Sequence, residues 1–192
     1  MVGARLASAV LVFSSLGACG GALDAERSDL EGSWAGPCFP TSATQSAQTR
    51  IVYNDLQLTG TYHEFSDSAC AVERHTSTWT GQASGGEELT AGVRKLDLAF
   101  ASFRSKPLTA AEADFVNQGQ YCGITDWAAN VERDILGKAC YNFTIPVGGK
   151  SLDIYSRTGT MLRFGKGSKI LASPTEADRP TELDPMVAYN RQ

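Results

Sequence analysis

The sequence lacks the short motifs that usually identify an enzyme. Its 192 residues contain no His-Glu-x-x-His zinc motif, no Gly-x-Ser-x-Gly nucleophile turn and no glycine-rich phosphate loop. No two cysteines have the C-x-x-C spacing, and His63 and His75 are the two histidines. These absences argue against the common metalloprotease, serine hydrolase and P-loop classes.

Long apolar runs and strong charge are also missing. Beyond the first 18 residues no stretch is long enough to cross a bilayer, which needs ~20 apolar residues. The formal net charge is −4, and a mildly acidic chain is a poor partner for nucleic acid or anionic headgroups. We find no internal repeat and no low-complexity tract, and we expect no nucleic-acid partner.

What is present begins with a leader over residues 1–18. Arg5 supplies a short positive region, and an uncharged apolar region follows as far as Leu16. The Leu16-Gly17-Ala18-Cys19 segment resembles the bacterial lipobox, which implies cleavage before Cys19 and lipid on its sulfur. The alternative is an ordinary secretory peptide with a chance cysteine.

The lipobox resemblance implies a location as well as an anchor. We expect a signal peptide over 1–18, a flexible tether over 19–29 and one folded domain over 30–192. Lipid on Cys19 would attach the protein to a membrane of the bacterial cell envelope, facing the periplasm or the cell surface.

Four further cysteines lie in the predicted domain. An even count in an exported chain indicates two disulfides, and three pairings are available. We favour Cys38–Cys70 and Cys122–Cys140, because both close local loops. Each disulfide adds ~3 kcal/mol by restricting the unfolded chain. A zinc site is the less favoured alternative, because the cysteine spacing does not suit it.

The domain is rich in short alternating runs of Thr, Val and aromatic residues, which predict an all-β fold. The predicted fold is a single antiparallel lipocalin-like β-barrel of about eight to ten strands with one short helix. We place a turn or a strand kink at Thr59-Gly60 and a hairpin turn over residues 84–88. The segments over residues 121–127 and 139–145 are interpreted as strands.

A capping box predicts the one helix. Thr109 stands three residues before Glu112, and a short apolar side follows as far as the expected helix end near residues 117–119. A helix of about two turns among many strands is expected to act as a lid or a plug.

Dispersed residues carry a family resemblance. They are Leu30-x-Gly32-x-Trp34-x-x-x-Cys38, Tyr62 before Cys70, Cys122-Gly123-Ile124-Thr125-Asp126-Trp127 with Cys140, and Tyr155 with Leu162-x-Phe164-Gly165. The pattern resembles the lipocalin-like barrel domain of the adenomatosis-polyposis-coli down-regulated proteins, which are Wnt-inhibitor ectodomains, and of similar small bacterial lipoproteins. The resemblance implies a barrel with an apolar cavity for a lipid or acyl group. It does not imply the Wnt function.

Six aromatic side chains are the candidates for lining such a cavity: Trp34, Tyr53, Trp79, Phe100, Trp127 and Tyr155. The alternative is that they fill the barrel completely, as a small barrel allows. Our first hypothesis is therefore a non-enzymatic lipoprotein that binds a small apolar ligand in a cavity opening near the predicted helix. The second hypothesis is a filled barrel that serves as a structural or protein-interaction scaffold.

A third hypothesis, a metal-dependent or acid–base enzyme, depends on one polar stretch. It contains His63, Glu64, Asp67, Glu73 and His75, and strand pairing would bring several of these side chains together. Catalysis would require convergence and burial, which sequence alone does not demonstrate. We therefore predict no catalytic residue, no metal site and no cofactor.

Overall fold

The computed structural model describes residues 29–141 and 143–192. The predicted signal peptide, Cys19 and all but the last residue of the predicted tether lie outside the described residues. The strands are β1 Gly32–Ala35, β2 Phe39–Ser42, β3 Gln45–Asn54, β4 Gln57–Phe65, β5 Glu73–Thr90, β6 Val93–Pro107, β7 Arg133–Asp134, β8 Ala139–Cys140, β9 Phe143–Thr144, β10 Lys150–Thr158, β11 Met161–Phe164 and β12 Tyr189–Arg191. The α-helix α1 spans Ala110–Gln118, and 3-10 turns lie at Tyr121–Gly123 and Glu176–Asp178.

Eight antiparallel strands close into a barrel, which confirms the predicted fold class. Their order around the barrel is β1, β12, β11, β10, β6, β5, β4 and β3, and β3 returns to β1. Strand β2 continues the sheet beyond β3, and β8 and β9 form a separate pair. Strand β7 pairs with the C-terminal end of β6. The barrel therefore closes through β1.

Trp34 secures this closure. It lies opposite Ile51 of β3 on one side and Arg191 of β12 on the other. Its side chain is fully buried, and its indole nitrogen donates to the Leu30 carbonyl at 2.7 Å. The guanidinium groups of Arg157 and Arg191 lie 5.7 and 5.9 Å from the centre of the ring, within reach of cation–π attraction.

The first hairpin turn differs from the predicted position. The chain reverses at Asp55 and Leu56, whose φ angles of 51° and 65° are those of a tight hairpin turn. Of the two alternatives at Thr59-Gly60, the turn is wrong: Gly60 lies inside β4, where the Trp79 ring packs against its Cα. A Cβ atom at this position would collide with the ring.

The turn over residues 84–88 was also wrong. Strand β5 continues through this segment, and the chain reverses beyond it at Ala91 and Gly92. Gly85 and Gly86 adopt positive φ angles, and the β5–β6 register shifts after Gly85. The glycines therefore produce a bulge in a long strand, a role that glycine also has in sheets.

The predicted helix is confirmed as α1, with Thr109 at its N-cap and Gly119 at its C-cap. The predicted strand over residues 121–127 is wrong, because this segment forms a 3-10 turn followed by loop. Both favoured disulfides, Cys38–Cys70 and Cys122–Cys140, are present. Among the described residues, no helix has the length and apolarity needed to cross a bilayer.

Candidate functional site

A cavity of about 440 Å³, the barrel cavity, lies among the inward-facing side chains. Its apolar wall comprises Ile51, Tyr53, Leu58, Trp79, Leu98, Phe100, Phe103, Phe164, Ile170 and Tyr189, and its polar positions include Ser151, Asp153 and Ser168. A mostly apolar wall with a few polar groups is typical of a small-molecule site.

Aromatic stacking organises one wall of the barrel cavity. Trp79 and Phe103 lie opposite each other on β5 and β6, with stacked rings 5.9 Å apart. Phe100 contacts Phe103 with ring centres 5.2 Å apart, since the β5–β6 register shifts between the two phenylalanines. Gly60 leaves the space that the Trp79 ring occupies. Strand alternation and one bulge therefore bring three rings to the same wall.

Asp153 is the charged group in this wall. It is 5% exposed, and its Oδ1 accepts hydrogen bonds from the backbone nitrogens of Ile154 at 2.7 Å and Gly165 at 2.9 Å. Burial raises the pKa of its carboxyl group above the ordinary value. Behind it, the Arg179 guanidinium donates to the Asp153 carbonyl at 2.6 Å. The Asp153 carboxylate is thus held in a fixed orientation within a mostly apolar wall.

Three of the six aromatic candidates line the barrel cavity: Tyr53, Trp79 and Phe100. The other three are corrected, because each is buried elsewhere. Trp34 lies at the barrel closure, and Tyr155 is fully buried in the core beside the β10–β11 pairing. Trp127 packs beside α1, where its backbone nitrogen donates to Asn117 at 2.7 Å.

The position of the cavity also corrects the expectation that it opens near α1. No α1 residue lines it, and the loop after β11 borders it through Gly165, Gly167, Ser168 and Ile170. Sequence reasoning missed Phe164, Tyr189 and Asp153 as lining residues. For Asp153 and Phe164 the alternation within β10 and β11 was the available signal, but it does not reveal which other strands face them.

A second group of side chains, the polar cluster, lies next to the cavity, on three of the same strands and on α1. It consists of Glu64, His75, Ser105 and Glu112, from β4, β5, β6 and α1. Glu64 lies directly opposite His75. His75 Nε2 is 2.6 Å from Ser105 Oγ, and His75 Nδ1 is 3.2 Å from Glu112 Oε1. Ser105, His75 and Glu112 are all buried.

The capping box of α1 explains the backbone of Glu112 but not the position of its side chain. The Thr109 hydroxyl accepts from the Glu112 backbone nitrogen at 3.1 Å, as the motif predicts. The Glu112 carboxylate, however, points to the sheet, where its Oε2 accepts from Arg74 at 3.0 Å. Glu112 therefore donates its backbone N–H to the Thr109 cap and joins the helix to the sheet through its side chain.

Aromatic residues cover the polar cluster. The Tyr121 ring meets His75 edge-on with centres 6.0 Å apart, and Trp127 lies 6.4 Å from the same imidazole. Burial raises the pKa of Tyr121 to about 12, against the opposing influence of its hydrogen bond with Ser105. The Tyr121 hydroxyl therefore stays protonated across the physiological range.

The five residues of the polar stretch divide into separate groups. Glu64 and His75 join the polar cluster, whereas His63 forms a hydrogen-bonded pair with Glu73 that is partly exposed. Asp67 caps its own loop by accepting from the backbone nitrogens of residues 69, 71 and 72. The hydrogen bonds from these amides, that of Val72 above all, lower the Asp67 pKa.

The Ser105–His75–Glu112 contacts follow the order of a serine hydrolase triad. A nucleophile, however, needs a space ~3 Å away for the reacting atom. Ser105 has no exposed surface, and its hydroxyl already contacts His75, Tyr121 and, at 3.4 Å, Ser77. The geometry therefore suits a buried polar network better than acyl transfer.

No model of a known protein family matches the chain, and no curated protein is significantly similar to it. The barrel cavity and the polar cluster are therefore the features from which a function can be inferred.

Proposed function

We propose that the protein is a lipid-anchored component of the bacterial cell envelope that binds a small apolar or amphipathic molecule in the barrel cavity, without catalysing a reaction. The observation that carries the proposal is the 440 Å³ cavity with its aromatic wall. Its volume lies within the range of ~300–1,000 Å³ that is typical of ligand pockets. The resemblance to lipocalin-like barrels supports the same class of ligand.

Binding would be driven by removal of apolar surface from water, at roughly 25 cal/mol per Å². The aromatic rings of Trp79, Phe100 and Phe103 supply rigid contact area. Asp153, with Ser151 and Ser168 nearby in the wall, would pair with one polar group of the ligand. We therefore expect molecules with a compact apolar body and a single hydrogen-bonding group to bind better than pure hydrocarbons.

Neighbouring residues of β3 provide a matched test of the cavity. Ile51 lines it, whereas Val52 is 41% exposed and lies on the opposite face of the strand. With N-phenyl-1-naphthylamine as a fluorescent probe, Ile51→Trp should weaken binding at least about tenfold, and Val52→Trp should leave it unchanged. Native mass spectrometry after lipid extraction would then identify a natural ligand.

Failure of this test would favour the scaffold hypothesis. If the wild-type chain binds neither the probe nor any extracted lipid, the cavity is not a binding site. Equal binding by the Ile51→Trp and wild-type chains would place the probe elsewhere. Trp79→Phe adds a second control. A ligand in the barrel cavity should change the tryptophan fluorescence of the wild-type chain strongly, and this change should be lost in Trp79→Phe.

The proposed anchor has its own test. Lipid on Cys19 should keep the wild-type chain in the membrane fraction, and Cys19→Ser should release it. A Cys19→Ser chain that still sediments with membranes would contradict the lipoprotein proposal. The result would leave the cavity proposal untouched, since Cys19 precedes the first barrel strand in the sequence.

A further inference from the structure

We propose that Glu64, His75 and Glu112 form a binding site for a divalent transition-metal ion, with zinc the ion that suits it best. The site would fix α1 to the barrel strands. One ligand atom from each residue lies within 4.8 Å of the other two. Imidazole nitrogen and carboxylate oxygen are established zinc ligands. The inference is independent of ligand binding in the barrel cavity.

The spacing of the first two ligand atoms already fits a shared ion. Two ligands at ~2.0–2.1 Å from a tetrahedral zinc ion stand roughly 3.3 Å apart. His75 Nδ1 and Glu112 Oε1 are 3.2 Å apart. Only the Glu64 carboxylate would need to move inward, and Glu64 is the half-buried member of the three. Water would complete the coordination.

His75 is oriented as a ligand. Its Nε2 lies 2.6 Å from Ser105 Oγ, and an Nε2–H group that donates to this hydroxyl would leave the Nδ1 lone pair for an ion. The ion would then replace the Nδ1–H group that donates to Glu112 Oε1 in the other tautomer. Histidine ligands of metals almost always donate their second ring nitrogen in this manner. Arg74 holds Glu112 by Oε2 and leaves Oε1 facing the imidazole.

The charge of the site also favours a cation. Two carboxylates converge there, and Arg74 is the cation paired with Glu112. Among the described residues, the Glu64 carboxylate has neither a hydrogen bond nor an ion pair to another side chain. A divalent ion between the two carboxylates would add positive charge to that of Arg74, the cation that the cluster already contacts.

One of the three proposed ligands, Glu112, borders a surface groove. A groove of about 460 Å³ lies between α1 and the nearby strands, and both Arg74 and Glu112 line it. The fully buried Ser105 lies on the far side of the imidazole. None of the three proposed ligands lines the barrel cavity, so that an ion bound there would not occupy the ligand site.

Calorimetric titration of the chelator-treated full-length chain with zinc tests the proposal. The wild-type chain should bind one ion, and zinc should raise its melting temperature as ligand linkage requires. Glu64→Gln should lower the zinc affinity at least about tenfold. It should not unfold the protein, because Glu64 is half-buried and glutamine has the same shape as glutamate. Glu112→Gln should have a similar effect while the backbone cap at Thr109 persists.

The other histidine–glutamate pair of the described chain provides the control. Glu73→Gln, which breaks the His63–Glu73 pair, should leave zinc affinity unchanged. The absorption spectrum of bound Co²⁺ should change in Glu64→Gln and stay constant in Glu73→Gln. Absence of saturable zinc binding by the wild-type chain, or equal losses in Glu64→Gln and Glu73→Gln, would overturn the proposal.

Discussion

The barrel cavity and the polar cluster occupy neighbouring stretches of the same strands. The inward pair Trp79–Phe103 closes the apolar region, and the next inward pair, Ser77–Ser105, begins the polar one. Nothing in the backbone marks this boundary, since the antiparallel pairing continues through it. The side chains at alternate positions alone decide whether a segment of the barrel interior suits an apolar ligand or an ion.

The two regions are also closed in different ways. The strands themselves close the apolar region through Trp34 of β1, whereas α1 and the segment held by Cys122–Cys140 cover the polar cluster. We therefore expect changes at Trp34 to affect the whole barrel. Changes in the covering segment should affect mainly the polar cluster.

The largest effect is expected for Trp34→Ala. Removal of a fully buried indole should lower the free energy of unfolding by about 3–5 kcal/mol, as for other buried aromatic residues. Urea denaturation followed by circular dichroism measures the change. In Trp127→Ala the barrel should persist, with faster amide exchange confined to α1 and its neighbours. Equal global losses in both variants would contradict the contrast between the regions.

Removal of the Cys122–Cys140 disulfide should have the next largest effect. The Cys122→Ser/Cys140→Ser chain should lose about 3 kcal/mol of unfolding free energy, because the disulfide closes a loop in the unfolded chain. We also expect greater amide exchange around Tyr121 and Trp127. Unchanged exchange there would show that the covering segment needs no disulfide to stay in place.

Ser105→Ala tests the polar region with a smaller change. It leaves the buried His75 Nε2 without its partner and should cost about 1–3 kcal/mol of unfolding free energy. Ser77→Ala is the control, since Ser77 is only half-buried and contacts Ser105 at 3.4 Å. Thermal melts of the two variants should differ clearly; similar melting temperatures would indicate that the His75–Ser105 contact contributes little.

The smallest effect concerns pH and the apolar region. Burial raises the pKa of Asp153 above its value of 3.8 in the unfolded chain. Its contribution to stability is therefore fully present below about pH 3.8 and is lost as the pH rises through the folded-state pKa. Asp153→Asn should remove this loss, so that the variant gains stability relative to wild type between pH 3.5 and 7. If the difference between the urea midpoints of Asp153→Asn and wild type were the same at every pH in this range, the raised pKa of Asp153 would be contradicted.

Features encoded by local patterns were predictable from the sequence. Alternation predicted the strands, the Thr109 capping box predicted α1, and the even cysteine count predicted two disulfides. The turn at Asp55 and Leu56 was not predictable in this way, because a leucine rarely adopts a positive φ angle. Glycines at 85 and 86 resembled a turn but formed a bulge.

The candidate site was less predictable, because it depends on distant pairings. Tyr53, Trp79 and Phe100 were recognised from aromatic character alone. Phe103 is three residues after Phe100, so that strict alternation would put the two side chains on opposite faces of β6. The shift in the β5–β6 register between them places both on the inner face. Glu112 was assigned to helix capping, and its contact with His75 joins two residues that are 37 positions apart in the sequence.

Strand β2 has a consequence for self-association. It lies at the end of the sheet, its four residues are exposed, and an exposed edge invites pairing with another chain. Pro40 removes one backbone donor from this edge, and the Cys38–Cys70 disulfide immediately precedes it. The edge is thus short, interrupted and tethered, three properties that protect an oxidised chain against edge-to-edge aggregation.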